Sequence, residues 1–165
     1  MESVHGTGLT SEQSQLLGVV RGVRNRYRLK RALFGAALTV GITTRNRPDS
    51  LRACLESMRL IAPLDPEILV FDDGSAPAAS GVTGSPALPV RFIRAESAPG
   101  YIVGRNRLVA EAQGAFVLLL DDDTRLLSLE SVESAIRVMR SDARAAAVAF
   151  AQAEGDGRPW PEQMQ

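Results

Sequence analysis

The sequence predicts an open α/β sheet, mostly parallel and doubly wound, with helices on both faces. Three observations carry that expectation. Short apolar runs alternate with stretches of helical periodicity, in the order strand, helix, strand, strand, helix, strand, helix, strand. The run at 67–71 is almost continuously apolar, as a parallel strand buried on both faces is, and the run at 115–120 reads as a strong strand. Three runs pass directly into polar clusters: Thr43-Thr44-Arg45-Asn46, Asp72-Asp73-Gly74-Ser75 and Asp121-Asp122-Asp123. With 165 residues, 45% apolar and 23% charged, the chain suits one domain that buries a real core.

The elements follow in order. Residues 1–10 read as a loose tail, in which His5 has no partner ligand nearby and Gly6-Thr7-Gly8 follows no strand. Thr10 and Gln13 have capping-box spacing, and Leu16, Val20, Val23 and Tyr27 recur at helical spacing. Six basic residues crowd the second half of this helix, from Arg21 to Arg31. Two readings fit it. It is a basic amphipathic helix lying on anionic lipid or a partner through residues 12–34, or it packs on the domain with a solvated basic face.

The compact domain is expected over 38–151, after a 1–37 extension. Leu38, Val40 and Ile42 alternate in a first strand. Asn46 is placed to cap the next helix, with Pro48 in its first turn. Leu51, Cys54, Leu55 and Met58 form that helix's apolar stripe, so Cys54 reads as a buried structural thiol. A second strand runs over 67–71, a loop rich in Ala, Pro, Gly and Ser over 76–89, and a short strand over 90–93. A helix is predicted over 100–113 with Gly114 as its C-cap, then a fourth strand over 115–120. Ser128 caps a further helix with Val132, Ile136 and Met139 facing inward, and 145–150 reads as a fifth strand. The tail at 152–165 looks irregular.

Charge and composition exclude several classes. Net charge is zero, split as +4 over residues 1–37 and −4 over 38–165, so the main domain lacks the basic balance of a nucleic-acid binder. A single cysteine rules out an internal disulfide framework. No run of 18 apolar residues occurs, and the polar N-terminus lacks a signal pattern. The expected location is the cytoplasm, with the basic helix offering a peripheral contact at the inner face of the membrane.

In a parallel sheet all three polar clusters fall on the carboxyl edge, where ligands bind at the switch point of strand order. The first strand commonly lies between the second and fourth in such sheets, so the two acidic clusters would flank one crevice. One acidic turn alone only ends a strand or caps a helix; two at matched strand ends point to function. Five aspartates there need a cation, hydrogen bonds or solvent to offset their charge. Asp121 and Asp123, alternate residues just past a strand, suit Mg2+ or Mn2+, which use one or two carboxylates plus substrate phosphates. Such a metal would stabilise a diphosphate leaving group. Asp72 and Asp73 suit a base N–H or a ribose hydroxyl, with Gly74 allowing a tight turn beside the ligand. Arg105 would balance the acidic site or hold phosphate bidentately; its other reading is a surface arginine.

These residues resemble the nucleotide-binding half of family 2 glycosyltransferases, which have the Rossmann-like GT-A fold. The resemblance covers 38–150 and rests on four features in order. They are Ile42 to Pro48 after the first strand, Asp72-Asp73-Gly74-Ser75 after the second, the segment from Gly100 to Arg105-Asn106, and Asp121-Asp122-Asp123, like the family's Asp-x-Asp metal motif. It implies inverting transfer of a sugar from a nucleotide-diphosphate donor, often a UDP-sugar, to an acceptor hydroxyl whose identity stays open. By that analogy Thr44 contacts the nucleoside and Asp73, with Asp72, reads the base. Arg105 lies near the diphosphate, and Asp121 and Asp123 hold ribose, metal and diphosphate. The implied nucleotide-sugar set is Thr44, Arg45, Asp72, Asp73, Arg105, Asp121 and Asp122, and the metal pair is Asp121 and Asp123. Arg45 stands where the family commonly has an aromatic residue.

The resemblance places the general base in a second half beyond the metal motif. Only 42 residues follow Asp123, and Glu154, Asp156 and Glu162 among them lie outside the family's context. The expectation is donor and metal binding, with transfer if a base is supplied; the alternative is a truncated, non-catalytic nucleotide-sugar-binding or interaction module. Two other acidic-pocket classes fail. A haloacid-dehalogenase phosphatase needs its motif after the first strand, and a phosphoacceptor receiver needs a late lysine, whereas the one lysine here is Lys30.

Overall fold

A computed structural model describes residues 38–82 and 88–153. The expected N-terminal helix, its membrane or partner contact, and the tail beyond 153 lie outside the described residues.

The first strand, β1 (Leu38–Thr44), is buried along its whole length. It is one of the two inner strands of a four-stranded sheet. On one side lies β2 (Glu67–Asp72), followed outward by β3 (Val90–Arg94); on the other lies β4 (Phe116–Asp121). The order is β3-β2-β1-β4 and every pairing is parallel. The first strand therefore does lie between the second and fourth. Register places Thr44 beside Asp72 and Thr43 beside Asp121, so three strands end at one level.

Helices cover both faces, as expected. The first, α1 (Pro48–Ser57), starts on Pro48 with Asp49 in its first turn, where a missing N–H and a negative charge are both favourable. Leu51, Cys54 and Leu55 make its buried stripe, which a 3-10 segment (Met58–Leu64) extends through Met58 and Ile61. These residues pack on Val40, Ile42, Ile68, Val70, Leu118 and Leu120. The last helix, α3 (Leu129–Ser141), adds Val132 and Ile136 to the same core, while Met139 is half-buried. Ser128 caps α3, its hydroxyl accepting the Ser131 amide at 3.2 Å.

The opposite face belongs to α2 (Tyr101–Glu111), whose Leu108 packs on Leu69 and Phe71. Close approach is possible because Gly104 faces the sheet. A Cβ there would stand 2.6 Å from the Phe71 ring, inside any real contact distance.

Three local expectations are corrected. Asn46 does not cap α1; Arg47 holds the N-cap position without a side-chain cap bond, and Asn46 takes a left-handed φ of 54°. Gly114 does not end α2, which closes on an extended Ala112. Gly114 instead lets two backbones meet: its amide donates to Thr39 Oγ1, and a Cβ would stand 2.5 Å from the Thr39 nitrogen. Residues 145–150 form no strand, although Phe150 packs on the core. The segment is mostly alanine, a weak strand former with little surface to bury. No described helix is long and apolar enough to cross a membrane.

Candidate functional site at the carboxyl edge

The sheet's carboxyl edge gathers every predicted site residue, because β1, β2 and β4 end level. The loop after β2 is built around Asp72. Its carboxylate accepts the amides of Ser75 at 2.8 Å and Ala79 at 2.9 Å, and the guanidinium of Arg94. The other arm of Arg94 donates to the Ser75 carbonyl at 2.8 Å. Burial alone would raise the Asp72 pKa, but the Ser75 side chain together with these bonds outweighs it and holds the carboxyl below the ordinary carboxylate value. With 1% of its surface exposed, Asp72 is spent on shaping the loop.

The loop after β1 interlocks with that one through Asn46. Its amide donates to Ser75 Oγ at 3.0 Å, and its Oδ1 accepts the Ala76 amide at 2.7 Å. The left-handed φ that makes this reach possible is one that asparagine tolerates. Asp73 fixes the third wall. Its amide donates to the Thr44 carbonyl, and its Oδ1 accepts the Gly100 amide at 3.0 Å at the start of α2. Gly74, at φ 73°, turns the chain in a conformation that side chains rarely adopt.

The loop after β4 is a tight turn, closed by the Thr124 amide on the Asp121 carbonyl at 3.0 Å. Its carboxylates diverge. Asp121 accepts Arg105 Nη2 at 2.7 Å and, more weakly, Thr43 Oγ1 at 3.4 Å. Asp122 points inward and accepts Thr44 Oγ1 at 2.7 Å and Arg47 Nη1 at 2.9 Å. Asp123 takes Arg47 Nη2 at 3.1 Å. The Asp121 and Asp123 side chains are 53% and 56% exposed, against 4% for Asp122. Burial raises the Asp122 pKa and the Asp123 charge adds to it, beyond what Thr44 and Arg47 take back.

The predicted set thus splits. Arg45, Arg105, Asp121 and Asp123 reach the surface, whereas the hydroxyl of Thr44 and the carboxylates of Asp72 and Asp122 are turned into the protein. Alternation along a strand suggested that Asp121 and Asp123 share one direction. The turn instead gives Asp122 and Asp123 a common guanidinium and Asp121 a different one. Arg105 lies over the Tyr101 ring, 5.3 Å from its centroid, and its Nε is buried without a hydrogen-bond partner. Sequence reasoning assigned no role to Asn46 beyond a helix cap, and none to Arg47 or Arg94. The first two were visible as polar residues inside the motif after β1, but their partners lie far along the chain.

Cys54 behaves as the structural thiol expected. It is fully buried near the Asp121 carbonyl, and burial together with the Asp122 charge pushes its pKa up to about 12, so the thiolate nucleophile is not formed. Among the described residues no three His, Cys, Asp or Glu side chains converge as a ready-made metal cage. The donor chemistry at Asp121 and Asp123 nonetheless fits Mg2+ or Mn2+. Both offer exposed carboxylate oxygens, and such metals commonly take one or two carboxylates with the remaining positions filled by phosphate or water.

An all-parallel sheet of this order, with helices on both faces and acidic turns at its carboxyl edge, defines the Rossmann-like GT-A class. The family model for glycosyl transferase family 2 matches residues 39–165, and the chain belongs to that family. It is 31% identical over 86 residues to the uncharacterized glycosyltransferase YwdF of Bacillus subtilis (strain 168), a match covering 52% of this chain and 32% of YwdF. Among solved structures, S. aureus TarS 1–349 in complex with UDP-GlcNAc is similar in fold, with a TM-score of 0.51 at 22% identity. That likeness covers 64% of this chain and 31% of the TarS chain. The chain spans about a third of the length of both relatives.

Proposed function

We propose that the carboxyl edge binds a nucleotide-diphosphate sugar together with Mg2+ or Mn2+, as the donor half of an inverting glycosyl transfer. The observation that carries this is the Asp121–Asp123 turn at the carboxyl end of β4, beside β1, where two exposed carboxylates each face an arginine. A UDP-sugar is the first candidate, since TarS of similar fold is bound to UDP-GlcNAc.

The roles follow from chemistry. Asp121 and Asp123 would hold the cation, which supplies positive charge to a departing diphosphate. Arg105 adds a guanidinium whose buried Nε still has a hydrogen to donate. Asp73 offers a carboxylate acceptor to a base N–H or ribose hydroxyl. Asn46, Asp72 and Asp122 keep the loops rigid, so binding orders little new chain. In the transfer itself, the acceptor oxygen bonds to the anomeric carbon as the bond to diphosphate breaks, and the acceptor's proton goes to a base. None of the described residues is assigned as that base.

Calorimetric titration of UDP, then GDP, with and without Mn2+ tests the reading. Metal-dependent binding of UDP to the native chain, lost in Asp121→Ala/Asp123→Ala, is the expected result. A folded sample that binds neither nucleotide would overturn it in favour of an interaction module.

A further inference from the structure

Arg47 joins two unlike carboxylates. Nη1 is 2.9 Å from Asp122 Oδ1, on a side chain only 4% exposed; Nη2 is 3.1 Å from Asp123 Oδ2, on a side chain 56% exposed. The guanidinium is half exposed, and among the described residues no other cation is paired with Asp123. Solvent screens the outer pair and barely reaches the inner one. Asp122 is held in addition by the Thr44 hydroxyl, so the inner contact is the anchor and the outer one is exchangeable.

We propose that Arg47 is a built-in counter-ion for Asp123, a positioning residue that a divalent cation must displace. This rests on the metal-binding reading above. The cation competes with Nη2 for the same carboxylate, so it binds poorly by itself. A nucleotide diphosphate changes the balance, because its phosphate oxygens accept the arm that Asp123 releases. Arg47 then couples the two ligands: each makes the other's site available, with the inner contact to Asp122 keeping the guanidinium in place. The planar fork suits this task, since it holds two N–H arms in fixed positions, whereas an ammonium places its donors on one nitrogen.

The test is Mn2+ binding without nucleotide, read from the paramagnetic resonance signal of free Mn2+, and again with UDP. Arg47→Lys keeps a positive charge beside Asp122 but gives up the fork. It should bind Mn2+ alone about threefold more tightly than the native chain, the scale of one exposed ion pair. The factor by which UDP tightens Mn2+ should shrink correspondingly. Thermal melting checks that the variant folds. Arg47→Gln, which removes the charge and keeps amide donors for Asp122, is the second variant and should tighten Mn2+ further. If the native chain binds Mn2+ with UDP but neither folded variant binds Mn2+ alone more tightly, the counter-ion role is wrong and the metal site stands. If the native chain binds no Mn2+ even with UDP, the metal reading falls and takes this one with it.

Discussion

The loops after β2 and β4 begin alike, each with consecutive aspartates directly past an apolar strand, yet they differ in electrostatic state. Asp72 is enclosed by donors from its own neighbourhood, two backbone amides and Arg94, and its carboxyl is held below the ordinary value. Asp122 is about as deeply buried, but its donors do not offset that burial, to which the Asp123 charge adds, and its pKa is raised. The first loop has completed its own set of partners. The second leaves two carboxylates at the rim, balanced only by arginines that solvent reaches. A self-satisfied loop builds the floor of a site; an exchangeable one is where a ligand can enter.

The comparison breaks most sharply at Asp72. Asp72→Ala would leave the Ser75 and Ala79 amides and the Arg94 guanidinium without their buried acceptor. A loss on the order of 3–5 kcal/mol is expected, read from the denaturant midpoint. A stability close to native would mean that water replaces the carboxylate and that the loop is not self-supporting.

Part of that stabilisation depends on pH. A carboxyl whose folded pKa lies below its unfolded value stabilises the fold above the unfolded pKa, near 3.8, and loses that contribution as pH falls through the folded one. Unfolding free energy should therefore decline as the medium is acidified below about pH 4. In Asp72→Asn the decline should be shallower. Equal slopes in the two proteins would assign the acid sensitivity to other carboxylates.

The smallest effect is expected at the other loop. Asp123→Ala removes one exposed ion pair and should change stability by less than about 1 kcal/mol. Its consequence should appear in Mn2+ binding instead. A destabilisation as large as that of Asp72→Ala would make the two loops equivalent.

Much of this was legible from residues alone. The runs at 67–71 and 115–120 read as strands, the first buried and the second at the sheet edge with Leu119 exposed, and acidic clusters directly after them had to share an edge once the sheet was parallel. Where local signals misled, a distant contact outweighed them. Asn46 looks like a helix cap but is claimed by Ser75 and Ala76. Gly114 looks like a helix terminator but is placed by its contact with Thr39. The alanine-rich 145–150 segment showed an apolar run with a single β-branched residue, Val148, too few to make a strand worthwhile.

The sequence by itself determined the order of elements from β1 to α3, the parallel sheet and the gathering of Thr43, Asp72, Asp73 and Asp121 at one edge. Periodicity and strand termini are local properties, written in neighbouring residues. Only the tertiary structure decided which carboxylates are spent and which are open. Arg47 reaches Asp122 across 75 positions, Thr44 across 78, and Arg94 reaches Asp72 across 22. Burial and charge balance depend on those partners, and no spacing within a motif encodes them.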